Sequence, residues 1–278
     1  MRYIYNNHPS KKGEYKIYEP LKDVQIPDVY SLNSTPNEPP IYDQGQLGSC
    51  TANAITYGVQ FAMNKQGLKY NPSGNPSRLF VYYNERAKEG TINSDSGANI
   101  SDGIDSVNEQ GVCSEIVWPY DIDRFTDKPS DKAYSLALLD KVTLKAQVLQ
   151  DENSISSCIS AGFPVITGIT VYESLEAQQT IDSGTIPMPD IQNEKELGGH
   201  AIALCGYDRI NKVYTLRNSW GTSVGQNGYF TIPFDYIHNP DLCSDLWQID
   251  FITQVQPIPQ IENKSIFTKL IDWIKNIF

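Results

Sequence analysis

An α+β chain with two lobes is predicted by three observations. Apolar residues recur at helical spacing in the first half, and β-branched residues cluster in strand-like runs in the second. The character switches once, near residue 140, with no internal repeat. A helix-rich half followed by a β-rich half points to separate layers rather than alternating βαβ units, with a cleft between the two lobes. At 278 residues the chain can bury a substantial core.

Taken in order, residues 1–40 are polar and broken by prolines ("IPDVYSLNSTPNEPP"), and read as an extended arm running over a surface. After the turn in "DQGQLGS", the stretch "CTANAITYGVQFAMNK" sets Ala52, Ile55, Val59, Ala62 and Met63 at helical spacing and holds no proline. A helix beginning at Cys50 and ending near Gly67 follows. "SRLFVYYNERAKEG" predicts a second helix, with Ser77 as cap and Gly90 as stop. "NISDGIDSVNEQG" predicts a third, carrying Ile100, Ile104 and Val107. The stretch "WPYDIDRFTDKPSDKAY" reads as a loop.

The second half opens with a strand in "KVTLKAQVLQ", a short helix in "SISSCISAG" and a strand in "FPVITGITVY". "HAIALCGYD" and "VYTLRNSW" form a hairpin over the "RINK" turn, and "GYFTIP" adds a third strand. "VQPIPQIENK" is a linker to "SIFTKLIDWIKNIF", an amphipathic helix with Ile266, Leu270, Ile274 and Ile277 on one face. That helix packs on the body, on a second copy, or on a partner or membrane surface. A membrane is disfavoured, since only Lys264, Lys269 and Lys275 supply positive charge. The expected organisation is an arm over 1–25, a body over 26–255 and this tail over 256–278. Within the body, a helical lobe spans about 44–140 and a β-rich lobe about 141–255.

A net charge of −11 with no basic patch excludes a nucleic-acid partner, because phosphate neutralisation needs clustered Lys and Arg. The N-terminus lacks the apolar core of a secretory signal, and no run of about 18 apolar residues marks a membrane span. Location stays open between cytoplasm, a carrier particle and non-classical secretion. The five cysteines are Cys50, Cys113, Cys158, Cys205 and Cys243. An odd count argues against a dense disulfide framework, while one or two bridges stay open. Cys205, inside "AIALC", reads as a core hydrophobe. No CxxC or paired His/Cys spacing points to a metal, and no cofactor is expected.

A thiol nucleophile needs a stabilised thiolate, a neighbouring imidazole, a group orienting that imidazole, and donors for the oxyanion. Cys50 sits at a predicted helix start, where unpaired N–H groups favour an anion. Of the three histidines, His8 lies in the arm and His238 in a loop, while His200 follows two glycines and opens an apolar strand. The next strand ends in "RNSWG", which brings Asn218 near the level of His200. An Asn oxygen accepting the imidazole N–H would set its tautomer, and Trp220 could cover that bond.

These motifs resemble the papain family of cysteine peptidases. Its nucleophile motif is similar to "QGQLGSCT", its histidine motif to "GGHAIALCGY" and its asparagine motif to "NSWGTSVGQNGYF". The separations of 150 and 18 residues between Cys50, His200 and Asn218 fit. "GVCSEIVWPYD" resembles a further stretch, and the likeness covers about residues 26–255. The resemblance implies a papain-like two-lobe fold, a helical lobe plus a β-barrel-like lobe with the active-site cleft between them. It implies Cys50 as nucleophile and His200 as proton carrier, with Asn218 as its orienter. Gln44 becomes an oxyanion donor together with the Cys50 N–H. Gly97, Gly199, Ala201 and Trp220 are the implied substrate-binding residues. The resemblance further implies that protein or peptide substrates would be cut through a thiolate–imidazolium pair and a thioester, in the manner of an endopeptidase.

Departures from the family pattern are informative. Leu47 stands where the family usually has a disulfide cysteine, and Thr51 where it has Trp. "QLGSCTAN" and "SRLFVYYNER" resemble a bacterial and viral branch. No two histidines are adjacent, as the occluding loop of a cathepsin B type would need. The long helical propeptide is missing, and residues 1 to about 25 are expected to act as a short pro-segment across the cleft. Two other readings use the same residues: a silent papain-fold binding or structural protein, and a transpeptidase working through the same acyl-enzyme.

Overall fold

The computed structural model describes residues 15–20 and 25–254, the last four by backbone alone. Two short strands come first, β1 (Lys16–Ile17) and β2 (Val29–Ser31). Three helices follow, α1 (Cys50–Lys65), α2 (Arg78–Glu89) and α3 (Ile100–Glu109), at the positions their periodicity predicts. Ser77 caps α2 by accepting from the Phe80 N–H at 3.1 Å, and Gly90 ends it in the left-handed region at φ 75°. Then come α4 (Asp131–Ala137), β3 (Asp140–Gln147), α5 (Glu152–Ser160), β4 (Val165–Tyr172), α6 (Glu173–Glu176) and α7 (Gln178–Ser183). The chain closes with β5 (Glu196–Asp208), β6 (Val213–Arg217), β7 (Tyr229–Pro233), α8 (Phe234–His238) and β8 (Cys243–Gln254).

The strands form one sheet in the order β1-β3-β8-β4-β5-β6-β7, with β2 added beside β5. The β1–β3 pair is parallel, and the other pairs are antiparallel. The expected β5–β6–β7 meander is present. Against the sheet lies α1, buried from Cys50 to Met63. Gly58 is where α1 comes closest: a Cβ there would stand 2.9 Å from Ile249 Cδ1 and 3.0 Å from Ile166 Cδ1. The helix separates two buried clusters. One takes Tyr57 and Phe61 with the inner residues of β4 to β7. The other takes Ile55, Val59 and Met63 with α2 and α3, and also Val142, Trp247 and Ile249 from the sheet.

The structure differs from expectation in several places, among them the short helices α6, α7 and α8, the last of which ends on His238 where a loop is expected. Helix α4 replaces part of a predicted loop; it is short, capped by Ser130, and buries only Ala133 and Ala137, too little for a periodic signal. Strand β8 was not anticipated, because Leu246, Trp247, Gln248 and Ile249 are all buried and no alternation marks them. The bridges left open for the cysteines do not form: all five are free and buried.

Residues 26–40, which lead from the arm into the body, do more than run over a surface. Leu32 is 1% exposed in the β-side cluster. Glu38 pairs with Arg217 at 2.6 Å, their side chains 9% and 3% exposed. Arg217 also donates to the carbonyls of Pro39 and Pro40, while the hydroxyls of Tyr57 and Tyr229 donate to Glu38. Residues 15–20 do not run over the strand carrying His200. They pair with β3, with β3, β8 and β4 between them and β5, and Tyr15 donates to Asp105 at 2.9 Å. The rest of the expected plug, residues 1–14 and 21–24, and the tail helix beyond 254 lie outside the described residues.

Removing one member of a buried ion pair leaves the other charge uncompensated. Arg217→Met is therefore expected to cost about 3–5 kcal/mol, read as a melting temperature lower by roughly 10 °C. An unchanged melting temperature would show that Glu38 does not depend on Arg217.

Candidate active site

Helix α1 begins at Cys50, and its first turn carries no acidic residue to compete for the helix N-terminus. Burial pushes the Cys50 thiol up to about 12, opposed by backbone hydrogen bonds from Ala201, Thr51 and Cys50 itself. The Ala201 bond is the key contact. It sets the Cys50 thiol against the residue that follows His200 on β5.

His200 is 1% exposed and pairs across to Ile169 of β4. Its Nε2 lies 2.8 Å from Asn218 Oδ1. The same oxygen accepts the Ser219 N–H at 2.8 Å, so the amide oxygen faces the ring and Nε2 must be the protonated nitrogen. That tautomer leaves Nδ1 to exchange a proton. Burial pushes the imidazole down to about 4, opposed by the Asn218 bond. Trp220 stacks on the ring with centroids 5.0 Å apart, and Phe230 meets Trp220 edge-on. Asn218 follows directly on β6, which pairs with β5, so sheet register sets the His–Asn distance.

Gln44 is 2% exposed and belongs to the same assembly. Its N–H donates to the Ser219 carbonyl at 2.9 Å. Its Oε1 accepts from Ser219 Oγ at 2.6 Å, which turns its amide nitrogen toward the nucleophile loop, where it donates to the Leu47 carbonyl at 3.0 Å. Gln44, Cys50, His200, Asn218 and Trp220 are thus joined through Ser219 and Ala201. Gly199 precedes His200 on β5, Ala201 is buried, and Gly97 sits at φ 72° with its N–H on Tyr82 Oη at 3.2 Å.

Sequence reasoning missed the support beneath this site. Tyr120 donates to the Gln44 carbonyl at 3.0 Å and meets Ser49 Oγ at 2.6 Å. Arg78 stacks on Tyr120 at 3.8 Å, pairs with Glu115 at 2.7 Å and donates to the Asp43 carbonyl at 2.9 Å. Glu85 accepts from Thr51 Oγ1 at 2.5 Å and is fully buried. The signal was there: Arg78, Tyr82, Glu85 and Arg86 fall on one stripe of α2 at helical spacing.

Burial holds the Glu85 carboxyl well above its usual range, while the Thr51 bond pulls the other way. Such a group keeps its proton in the folded state where the unfolded chain releases it. Its contribution to stability is present below pH 4.5, the ordinary value, and is lost as pH rises above it. Glu85→Gln mimics the protonated acid. It should melt at the wild-type temperature near pH 4 and above it at pH 7 to 8. Parallel melting curves across that range would refute the neutral acid.

Residues 33–243 match the model of the papain family of cysteine proteases. An uncharacterised peptidase C1-like protein of Acanthamoeba polyphaga mimivirus is 38% identical over 250 residues, covering 86% of this chain and 79% of that one. The crystal structure of xylellain, a cysteine protease from Xylella fastidiosa, aligns at 37% identity with a TM-score of 0.82, over 91% of this chain and 96% of the other. A Carica candamarcensis cysteine protease, 21% identical, shares the fold at a TM-score of 0.59, over 83% and 100% of the two chains. The family model spans most of the chain, and two relatives exceed one-third identity over nearly all of it. By these likenesses the chain belongs to the papain family of cysteine proteases.

Proposed function

We propose that Cys50, His200, Asn218 and Gln44 hydrolyse internal peptide bonds. The observation that carries this reading is the His200 Nε2–Asn218 Oδ1 bond of 2.8 Å, next to the Ala201 backbone that bonds the Cys50 thiol. Burial disfavours either charge alone, at Cys50 and at His200. Passing the thiol proton to Nδ1 creates both charges together, so each offsets the other's desolvation, with the α1 N-terminus behind the sulfur. The thiolate attacks the scissile carbonyl, and the oxyanion takes the Cys50 N–H and a Gln44 amide N–H. His200 gives its proton to the leaving amine, leaving a thioester. It then takes a proton from water, whose oxygen attacks the thioester and frees the acid and the thiol. Three separated histidines favour cleavage inside a chain over removal of C-terminal dipeptides. Residues 1–25 would restrain the enzyme as a short pro-segment, tethered to β3 through residues 16–18.

An epoxide that traps papain-type thiolates should add once to the full chain, at Cys50 by mass mapping. No adduct in full-length or arm-deleted protein would end the protease reading. Gln44→Ala should lower kcat on the order of 10²–10³-fold, the scale of one oxyanion donor. Deleting residues 1–25 should raise activity, and an unchanged rate would remove the arm from regulation. The proton pair makes a pH prediction as well. Wild-type Cys50 should react with iodoacetamide near pH 7. In His200→Asn burial alone rules the thiol, and reaction should begin only in the alkaline range; identical pH profiles would discard the pair.

A further inference from the structure

The loop before Cys50 has no covalent tie, since every cysteine of the chain is free. It has a polar one. The Gly48 N–H donates to both carboxylate oxygens of Asp95, at 3.0 and 3.2 Å. Asp95 Oδ1 also accepts the Tyr82 hydroxyl at 2.5 Å, and the same hydroxyl oxygen accepts the Gly97 N–H at 3.2 Å. The chain of bonds therefore runs from the nucleophile loop to the Gly97 loop in three steps.

Both ends are held. Tyr82 is fully buried on α2, with Arg86 over its ring at 4.0 Å. Arg86 Nη1 donates to the carbonyls of Ile92 at 2.9 Å and Ser94 at 3.0 Å, which pins the residues leading into Asp95. Beyond Gly97, the Asn99 N–H donates to Glu89 Oε1 at 2.6 Å, again on α2. Burial first, and then the Asp95 carboxylate, hold the Tyr82 phenol in its protonated form. The direction of each bond is thereby set: Tyr82 donates to Asp95 and offers only lone pairs to Gly97. Hydrogen bonds to a charged acceptor are the stronger kind, and two of the three links are of that kind.

We propose that Asp95 is a positioning residue for the reaction, with Tyr82 as its relay, and that it fixes the distance between Cys50 and the Gly97 backbone. The proposal rests on the reading of Cys50 as nucleophile and Gly97 as a substrate-backbone contact. The Asp95 carboxylate acts through the Gly48 N–H and the Tyr82 hydroxyl that it accepts. Its work is to hold the Cys50 loop and the Gly97 loop, both in the helical part, in register, so that a peptide meets both at once. A reagent that touches Cys50 alone has no need of that register.

The test uses the full chain with Asp95→Ala, Asp95→Asn and Tyr82→Phe. Four quantities are read: kcat and KM on an extended peptide, the iodoacetamide rate at Cys50, and amide hydrogen exchange at Gly48. Asp95→Ala and Asp95→Asn are expected to raise KM by about tenfold, the effect of losing one charge-assisted bond. The iodoacetamide rate should stay within about threefold, and Gly48 exchange should quicken at least about tenfold on the same scale. Tyr82→Phe should raise KM while Gly48 stays protected, because it removes the Asp95–Tyr82 and Tyr82–Gly97 links and leaves the Gly48–Asp95 link in place. An unchanged KM in Tyr82→Phe overturns the relay, even where Asp95→Ala does not fold. A fall in kcat and iodoacetamide rate with KM unchanged also overturns it, as the mark of damage at the nucleophile itself. A wild-type chain that cuts no peptide refutes the protease reading instead. The Asp95 tie is then judged by Gly48 exchange alone, and equal exchange in wild type and Asp95→Asn would overturn it.

Discussion

Helix α1 is buried from its first residue to Met63 between two apolar clusters, and that burial sets the position of its N-terminus. A helix packed on both faces cannot slide or tilt without opening a cavity, at a cost of about 24 cal/mol per Å³ in a model protein. Gly58 tightens the constraint, since the helix comes so close to the sheet that a methyl group would have to displace Ile249. Cys50 therefore has a fixed address, and the other groups of the site are brought to it. Strand β5 brings His200 and Ala201, and the end of β6 brings Asn218 and Ser219. Sheet register, rather than loop length, decides where the imidazole stands.

The nucleophile loop has to be held without a covalent cross-link, and polar groups on and near α2 do this. Tyr120 holds its carbonyl at Gln44, Arg78 its carbonyl at Asp43, and Asp95 its N–H at Gly48. The Gln44 and Gly48 contacts satisfy part-buried backbone groups, while the Asp43 carbonyl is tied at the exposed rim. The same economy explains Ser219, whose hydroxyl orients the Gln44 amide while its N–H orients Asn218. One residue sets the rotamers of both Gln44 and Asn218.

Much of the fold was legible because its signals are local. Helices α1 to α3 carry clear apolar spacing and glycine stops, and β5 to β7 carry β-branched runs broken by turns. Where both faces are covered, as in β8, alternation vanishes and the strand is invisible. Leu32 and Glu38 looked like parts of a polar strap because their partners, a core cluster and Arg217, lie far along the chain. The stripe of α2 was visible as spacing, but Arg78, Tyr82, Glu85 and Arg86 carry no motif of their own. Their roles appear only once the loops they hold are in place.

By itself the sequence determined the family and nominated the ordered set Gln44, Cys50, His200 and Asn218, because motif identity and spacing are properties of the chain. It also determined that the position of Leu47 offers no thiol for a bridge. Only the tertiary structure decided which His200 nitrogen carries the proton and which way the Gln44 amide points, since both turn on Ser219 and Asn218 meeting across strands. It alone decided that Asp95, Tyr82 and Glu85 support the residues on either side of Cys50, for those contacts join residues 13 to 47 positions apart. Local patterns are written in local residues. Hydrogen bonds between distant segments exist only after the core has brought those segments together.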